Sequence, residues 1–394
     1  MEIAQHGAIA MKGPWHHSRP RAAVFSVSPF PSPQAHVGAI IGMTNALQLR
    51  GYATTLYAFF RTDAHETLVK QFGLLTSVGF GWSAKRPTRV GMLLSLISWI
   101  LVAAVRSHDV ILTRSPLIAL AARRCDRVLL EIHQEPVNRL SRAKLDHWIL
   151  PLLQGRRYQF VFISRTLRNH YLKEFPGLSR ATCSVAPSGF HKEWFPNFWS
   201  PSAGKGRLTY AGSLYEGRGI ELIIELARRM PHGEFHIIGG TRAEWSALTS
   251  RLPVPVNCHH IPHLPPVAIA AHLIQSDVLL APYQQRVLIS SGSDISRVIS
   301  PLKIAEYMAA GRPIIASDLP SIREFVEGSR AAVLVAPEDI EAWVRAAQDI
   351  LDAPHRRSVL GRAAFDYAND RLDWESRLAK ILPGSNESGG DGAL

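Results

Sequence analysis

The stretch 300–324, SPLKIAEYMAAGRPIIASDLPSIRE, is the part of the chain whose residue types and spacing carry the most chemistry. Pro301 restricts Ser300 before it and marks a turn. The spacing predicts a helix from Leu302 to Ala310, closed by Gly311. The first turn of such a helix offers unpaired N–H groups and the positive end of its dipole, a cradle for a diphosphate. Lys303 lies in that turn and adds a full charge. Glu306 follows at i+3 and shares its face. A carboxylate there can accept from the two hydroxyls of a ribose. Taken alone, the pattern equally suits a surface helix with a solvated lysine and glutamate.

A second segment, LTYAGSLYEGRG at 208–219, precedes an amphipathic run. Strand, glycine turn and helix start together form a phosphate-facing loop, because Gly212 lets backbone approach an anion closely. Arg218 at the start of the helix can grip phosphate oxygens with its planar fork. The plain alternative is an ordinary strand-to-helix turn. The strand ending FHIIGG at 235–240 lacks the full G-x-G-x-x-G pattern, so a nicotinamide site gains little support. In the first half, LLEIHQ at 129–134 carries His133 off the end of a predicted strand, where an imidazole could donate to a hydroxyl or move a proton. Arg114, in LTRSP, stands at a similar edge and suits a phosphate or an acceptor. With 17 histidines in the chain, most must be structural.

These residues need a scaffold of strand ends, and the chain supplies one. Short apolar runs (22–27, 54–58, 110–113, 128–132, 160–163, 183–186) alternate with helical stretches, implying a parallel, doubly wound α/β sheet. The alternation restarts after a turn-rich linker at 196–206. The expected organisation is a loose tail at 1–20, one α/β domain at 21–196, a second at 197–370, a terminal helix near 371–383 and a small polar tail at 384–394. The fold class is therefore α/β, two doubly wound Rossmann-like domains facing across a cleft. Open α/β sheets bind ligands at their carboxyl edges.

The chain has 394 residues and a net charge of +12. Residues 1–200 hold 24 Lys/Arg against 10 Asp/Glu, a net of +14, and the remainder 20 against 22, a net of −2. A basic half fits an anionic partner such as a lipid headgroup or lipid-linked phosphate. Nucleic acid is not expected, because no aromatic-basic interleaving or known motif occurs. The three cysteines, odd in number and far apart, argue against a disulfide framework or zinc site and fit a reducing cytosol. The most apolar stretch, 91–105, falls short of the ~20 residues that span a bilayer. A buried helix is the expectation there, with a membrane-surface helix as the alternative.

The segment SPLKIAEYMAAGRP resembles the donor-binding core of the family-4 (group 1) glycosyltransferases of GT-B fold, and the resemblance extends over roughly residues 22–382. It implies transfer of a sugar from a nucleotide-diphosphate sugar, UDP- or GDP-linked, to a lipid-linked, polysaccharide or other glycan acceptor. It further implies retention at the anomeric carbon, no metal, and no permanently bound cofactor. In the donor site it implies roles for Gly212, Ser213, Arg218, Gly239, His263, Leu264, Ser300, Pro301, Leu302, Lys303 and Glu306. His263 and Leu264 would hold the base, and His133 the donor sugar. Arg218 and Lys303 would neutralise the leaving diphosphate, as electrostatic stabilisation of developing charge.

The sequence departs from the family in three places. Ser213 stands where many relatives have a basic residue. The loop at 31–37 has Gln34 and Ala35 near the family's glycine pair. Val298 occupies the first position of the Glu-x7-Glu pair, so another residue must orient the sugar, Asp294 or the loop 290–293 being the nearest. No Asp-x-Asp occurs to hold a divalent ion on a diphosphate. Two readings compete: a nucleotide-sugar epimerase of the same architecture, and a silent relative that keeps only the nucleotide pocket. The expected location is the cytoplasm, peripheral to the inner face of the membrane.

Overall fold

The structure, a computed structural model, describes residues 19–32, 35–61, 64–83, 88–134, 148–180, 182–250, 252–288, 294, 296 and 302–383. Seven strands, β1 (Arg21–Phe30), β2 (Ala53–Phe60), β3 (Gly79–Phe80), β4 (His108–Thr113), β5 (Cys125–Ile132), β6 (Tyr158–Phe162) and β7 (Thr182–Val185), form one sheet. Its order is β3-β2-β1-β4-β5-β6-β7, parallel throughout. Six more, β8 (Arg207–Ala211), β9 (Glu234–Ile238), β10 (Cys258–Ile261), β11 (Val278–Ala281), β12 (Ile314–Ser317) and β13 (Ala332–Val335), form a second parallel sheet in the order β10-β9-β8-β11-β12-β13. The chain reverses direction across each sheet between β1 and β4 and between β8 and β11. Open α/β sheets leave a crevice for ligands at such points.

The strands are continuous apolar runs because helices cover both faces. Val24 enters one core of the first sheet and Phe25 the opposite one. The helix Ile220–Arg229 buries Ile220, Ile223, Ile224 and Ala227 on the second sheet, an i, i+3, i+4, i+7 stripe. The helix Pro354–Arg371 is absent from the sequence reading. It turns Gly361, Ala364, Phe365 and Ala368 inward, mostly small residues that give no bulky apolar period.

The last helix, Trp374–Ile381, leaves the second sheet and packs on the first, placing Trp374, Leu378 and Ile381 in its core. Gly42 makes this possible, since a Cβ there would lie 2.2 Å from the Trp374 ring. The two halves also meet through Glu324, whose carboxylate accepts from the Thr166 amide (3.3 Å) at the start of the helix Arg165–Glu174, where the helix dipole favours a negative charge.

The expectation of a buried helix at 91–105 needs correction. The helix Arg89–Val105 buries Gly91, Ser95, Trp99 and Ala103. Its opposite side, Val90, Leu93, Leu94, Ile97, Leu101 and Val105, is 46–67% exposed. A helix apolar on every side carries no periodicity to say which side is covered, and the two-residue β3 at this edge leaves one side open.

Candidate functional site

The two sequence segments converge at the carboxyl end of β8. The Tyr307 hydroxyl accepts from the Ala211 amide (2.8 Å) and lies 3.3 Å from the Leu280 carbonyl. That buried hydroxyl fixes the helix Leu302–Ala309 against the ends of β8 and β11. Gly212 follows directly, and a Cβ there would stand 2.6 Å from Lys303 Nζ. Gly239, with φ of +126°, lies so close that its own Cβ would fall 2.1 Å from the Gly212 carbonyl oxygen. Both glycines are needed for the two loops and the lysine to share one space.

Lys303 Nζ sits 3.8 Å from the centre of the Tyr210 ring and 5.0 Å from that of Tyr283. It is shielded from solvent and has no hydrogen-bond partner among the described residues. Aromatic faces attract an ammonium but do not satisfy its protons. Burial, with Arg218 close by, draws Lys303 well below the usual lysine range, against the opposing pull of Glu306. The Arg218 guanidinium is centred 5.3 Å from the Tyr283 ring, and its Nε also lacks a partner. Burial pushes the Glu306 carboxyl up to about 7, against the influence of His191 and Lys303. Two cations with unfilled donors and a carboxylate poised near neutrality can hold an anionic group and a diol together.

The residues named from the sequence fall unevenly around this cluster. Leu302 opens the helix, and Ser213 lies in the β8 loop with its carbonyl accepting from Tyr210 Oη (2.7 Å). The His263 amide donates to the Gly240 carbonyl (3.0 Å), which brings the 261–264 loop beside Gly239. The His263 side chain is exposed, and Leu264 packs on the second-domain core. Asp294 is exposed, and its Oδ1 accepts from the amides of Val287 (3.0 Å) and Ser296 (2.9 Å) in its own loop. Gln34, Val298, Ser300, Pro301 and the loop 290–293 lie outside the described residues, as do 1–18 and 384–394.

Across the cleft, Arg114 and His133 are joined through a residue that sequence reasoning passed over. Glu131 accepts from Arg114 Nε (3.1 Å) and from Arg377 Nη1 (2.7 Å), and His133 Nε2 lies 3.1 Å from it. Burial alone would raise the Glu131 carboxyl, but Arg377 and Arg114 hold it well below the usual carboxylate range. Burial and Arg114 press His133 down to about 4, so its ring is neutral at physiological pH. Beside an ionised carboxylate the Nε2 must carry the proton, which leaves Nδ1 as the acceptor. His36, at the start of the helix Ala35–Leu49, is pushed to about 4 by burial and Arg114, and its Nε2 has no partner among the described residues. His191 completes the rim, with Nε2 2.9 Å from the Gly38 carbonyl and Nδ1 3.1 Å from Glu193. A conspicuous position beside Gln34 was the signal for His36. For Arg377, 246 residues from Glu131, there was none.

Residues 205–353 match the family described as "Glycosyl transferases group 1". The chain is 27% identical over 174 residues to a GDP-mannose-dependent alpha-(1-6)-phosphatidylinositol monomannoside mannosyltransferase of Mycolicibacterium smegmatis, covering 43% of this chain and 44% of the relative. It is 25% identical over 184 residues to a glycogen synthase of Mycobacterium tuberculosis, covering 45% and 41%. The chain thus spans under half the length of the curated relatives it matches. Among solved structures, HepE of Anabaena in complex with UDP and glucose superposes with a TM-score of 0.67 at 14% identity, covering 92% of this chain and 98% of that one. A sucrose-phosphate synthase of Thermosynechococcus elongatus gives 0.66 at 16% identity, covering 91% and 96%. The fold is that of the two-domain GT-B glycosyltransferases, and within it residues 205–353 are similar to the group 1 glycosyl transferases.

Proposed function

We propose that this protein transfers a sugar from a nucleotide-diphosphate donor to an anionic glycan, lipid-linked or polysaccharide acceptor, with retention and without a metal. The observation that carries the reading is the Lys303 ammonium, unpartnered and boxed by Tyr210 and Tyr283 beside Gly212. An unpaired buried cation is costly unless something fills it. In this reading the diphosphate lies between Lys303 and Arg218 over the helix start, and Glu306 accepts from the ribose hydroxyls. The base rests against the loops of Gly239, His263 and Leu264. The two cations take up the charge that develops on the leaving diphosphate, the task a divalent ion performs elsewhere.

His133, neutral and held by Glu131, presents Nδ1 as an acceptor to a sugar hydroxyl. The protein works in the cytoplasm, at the inner face of the membrane, with its basic half toward the acceptor. The names of the relatives point to both GDP- and UDP-linked donors, so the base is decided by titration. Calorimetry with UDP, GDP and ADP should give one nucleoside diphosphate binding well above the others. The matching nucleotide sugar should then be consumed only when acceptor is added. Binding without turnover toward any acceptor would leave a silent relative. Epimerised donor in the absence of acceptor would make the protein an epimerase.

A further inference from the structure

The helix Arg89–Val105 departs from a helix lying on a sheet in water, whose outer side is ordinarily polar. Toward the sheet it buries Gly91, Ser95, Trp99 and Ala103, with Met92, Leu96, Ile100 and Val102 packed partly buried beside them. Toward solvent it presents Val90, Leu93, Leu94, Ile97, Leu101 and Val105, recurring every three to four residues along its whole length. The helix is apolar on both sides, and one full apolar stripe is left uncovered. Trp82 extends the stripe: its carbonyl accepts from Trp99 Nε1 (2.8 Å), and its own ring is 58% exposed. Trp82, Leu94, Ile97, Leu101, Val105 and Arg106 line an open groove of about 600 Å³. Contiguous apolar surface of this kind marks a binding face.

The surroundings say what covers it. At the carboxyl end of the helix, Arg124 donates to the Val105 carbonyl (3.4 Å) and Arg157 to the Arg123 carbonyl (2.8 Å). Arg21 reaches Ser107 Oγ (2.8 Å) from the neighbouring strand. With Arg106 these make an exposed arginine cluster around one end of the apolar stripe. The first half of the chain as a whole carries the +14 net charge. A bulky apolar stripe, an exposed tryptophan and a fringe of arginines together match an anionic bilayer surface, where the stripe enters the acyl boundary and the cations meet the headgroups. No helix among the described residues is long and apolar enough to cross a membrane.

We infer that the helix Arg89–Val105 with Trp82 is a membrane-docking face that seats the first domain on anionic lipid. The helix runs from the carboxyl edge of the first sheet, after β3, to the amino edge, before β4. Docking it would bring the cleft rim to the bilayer, where a lipid-linked acceptor presents its sugar. The inference rests on the proposed acceptor class only for that last consequence.

The test is flotation of the full chain with vesicles of phosphatidylcholine alone and of phosphatidylcholine mixed with an equal amount of phosphatidylglycerol. Wild type should float with the mixed vesicles and be released by salt, with little binding to the neutral ones. Leu94→Glu/Ile97→Glu, at two exposed positions, should keep the wild-type melting temperature and nucleotide affinity while losing flotation. Arg106→Gln/Arg124→Gln should weaken binding by about thirtyfold, from roughly 1 kcal/mol per surface cation. Wild type that stays in solution with both vesicles, or floats as well after Leu94→Glu/Ile97→Glu, overturns the inference. A wild-type dimer that this double variant splits, with no vesicle binding, would instead make the face a contact between copies. Nucleotide affinity is the separate readout for the donor site, so failure of docking and failure of the proposed function are told apart.

Discussion

The two sides of the cleft treat their charges in opposite ways. On the first domain Glu131 is saturated, held by Arg114, Arg377 and His133. On the second, Lys303 and Arg218 keep unfilled donors, and Glu306 is pushed toward protonation. A buried charge that is fully paired contributes rigidity, whereas one left open raises the free energy of the empty protein and is relieved only by a ligand. In the proposed function the first cluster is thus a fixture and the second a receptor.

Glu131→Gln should give the largest effect, because it strands two arginines. The expected loss is about 3–5 kcal/mol of stability, seen as a marked fall in melting temperature. The folded-state pKa of Glu131 is depressed, so its contribution is present above the unfolded carboxylate range and is lost as pH falls through the lower folded value. The gap between wild type and variant should therefore persist into mildly acidic buffer. A variant as stable as wild type would show that the triad is not a fixture.

Lys303→Met reverses the pattern. It removes an unpaired ammonium from between two rings, so the empty protein should melt no lower than wild type. Turnover, or nucleotide binding if no acceptor is known, should drop by ~10²–10³. Unchanged binding with a lower melting temperature would make Lys303 structural and end the contrast.

Glu306→Gln sharpens the same point through pH. Its folded carboxyl titrates at about 7 rather than in the usual range, so ionising it in the folded state costs stability as pH rises from the unfolded value toward 7. The variant should equal wild type near pH 4 and exceed it at pH 8, by up to about 3 kcal/mol. Wild-type nucleotide affinity should climb through pH 7 and that of the variant should stay flat. Equal pH profiles would mean that Glu306 does not meet the ligand as a carboxylate. The smallest change, ~1 kcal/mol of nucleotide affinity, is expected of Gly212→Ala, whose new methyl would meet Lys303 Nζ and the Tyr210 hydroxyl in a backbone conformation that favours glycine.

The contrast also explains what could be read from the sequence. The second domain's cluster was legible because its parts are local: Gly212 and Arg218 flank one turn, and Lys303 and Glu306 share one helix face. The tyrosines around Lys303 were not, since Tyr210 lies within a strand and Tyr283 follows another, and nothing in the order of residues joins them. Both sheets followed from alternating apolar runs, while β3 has only two residues and β10, CHHI, carries two histidines in place of an apolar run. The first domain's cluster was half legible. Arg114 and His133 stand at strand ends, but the carboxylate between them sits inside an apolar strand and its second arginine arrives from the far end of the chain.

That return of the chain has a further consequence. Phe190 pairs with Asp373, and its amide donates to the Leu372 carbonyl (3.1 Å), so the outgoing and returning connections run side by side. Phe190, Ala364, Ala368 and Leu372 belong to the core of the second sheet, and Trp374, Leu378 and Ile381 to that of the first. The contiguous stretch 205–353 therefore lacks part of its own interior, and a chain cut after 353 robs both halves. Neither half is a cassette. A chimera that borrows the second half from a relative must bring residues 354–371 with it and keep 372–383 from the recipient, or both partners will fail to fold.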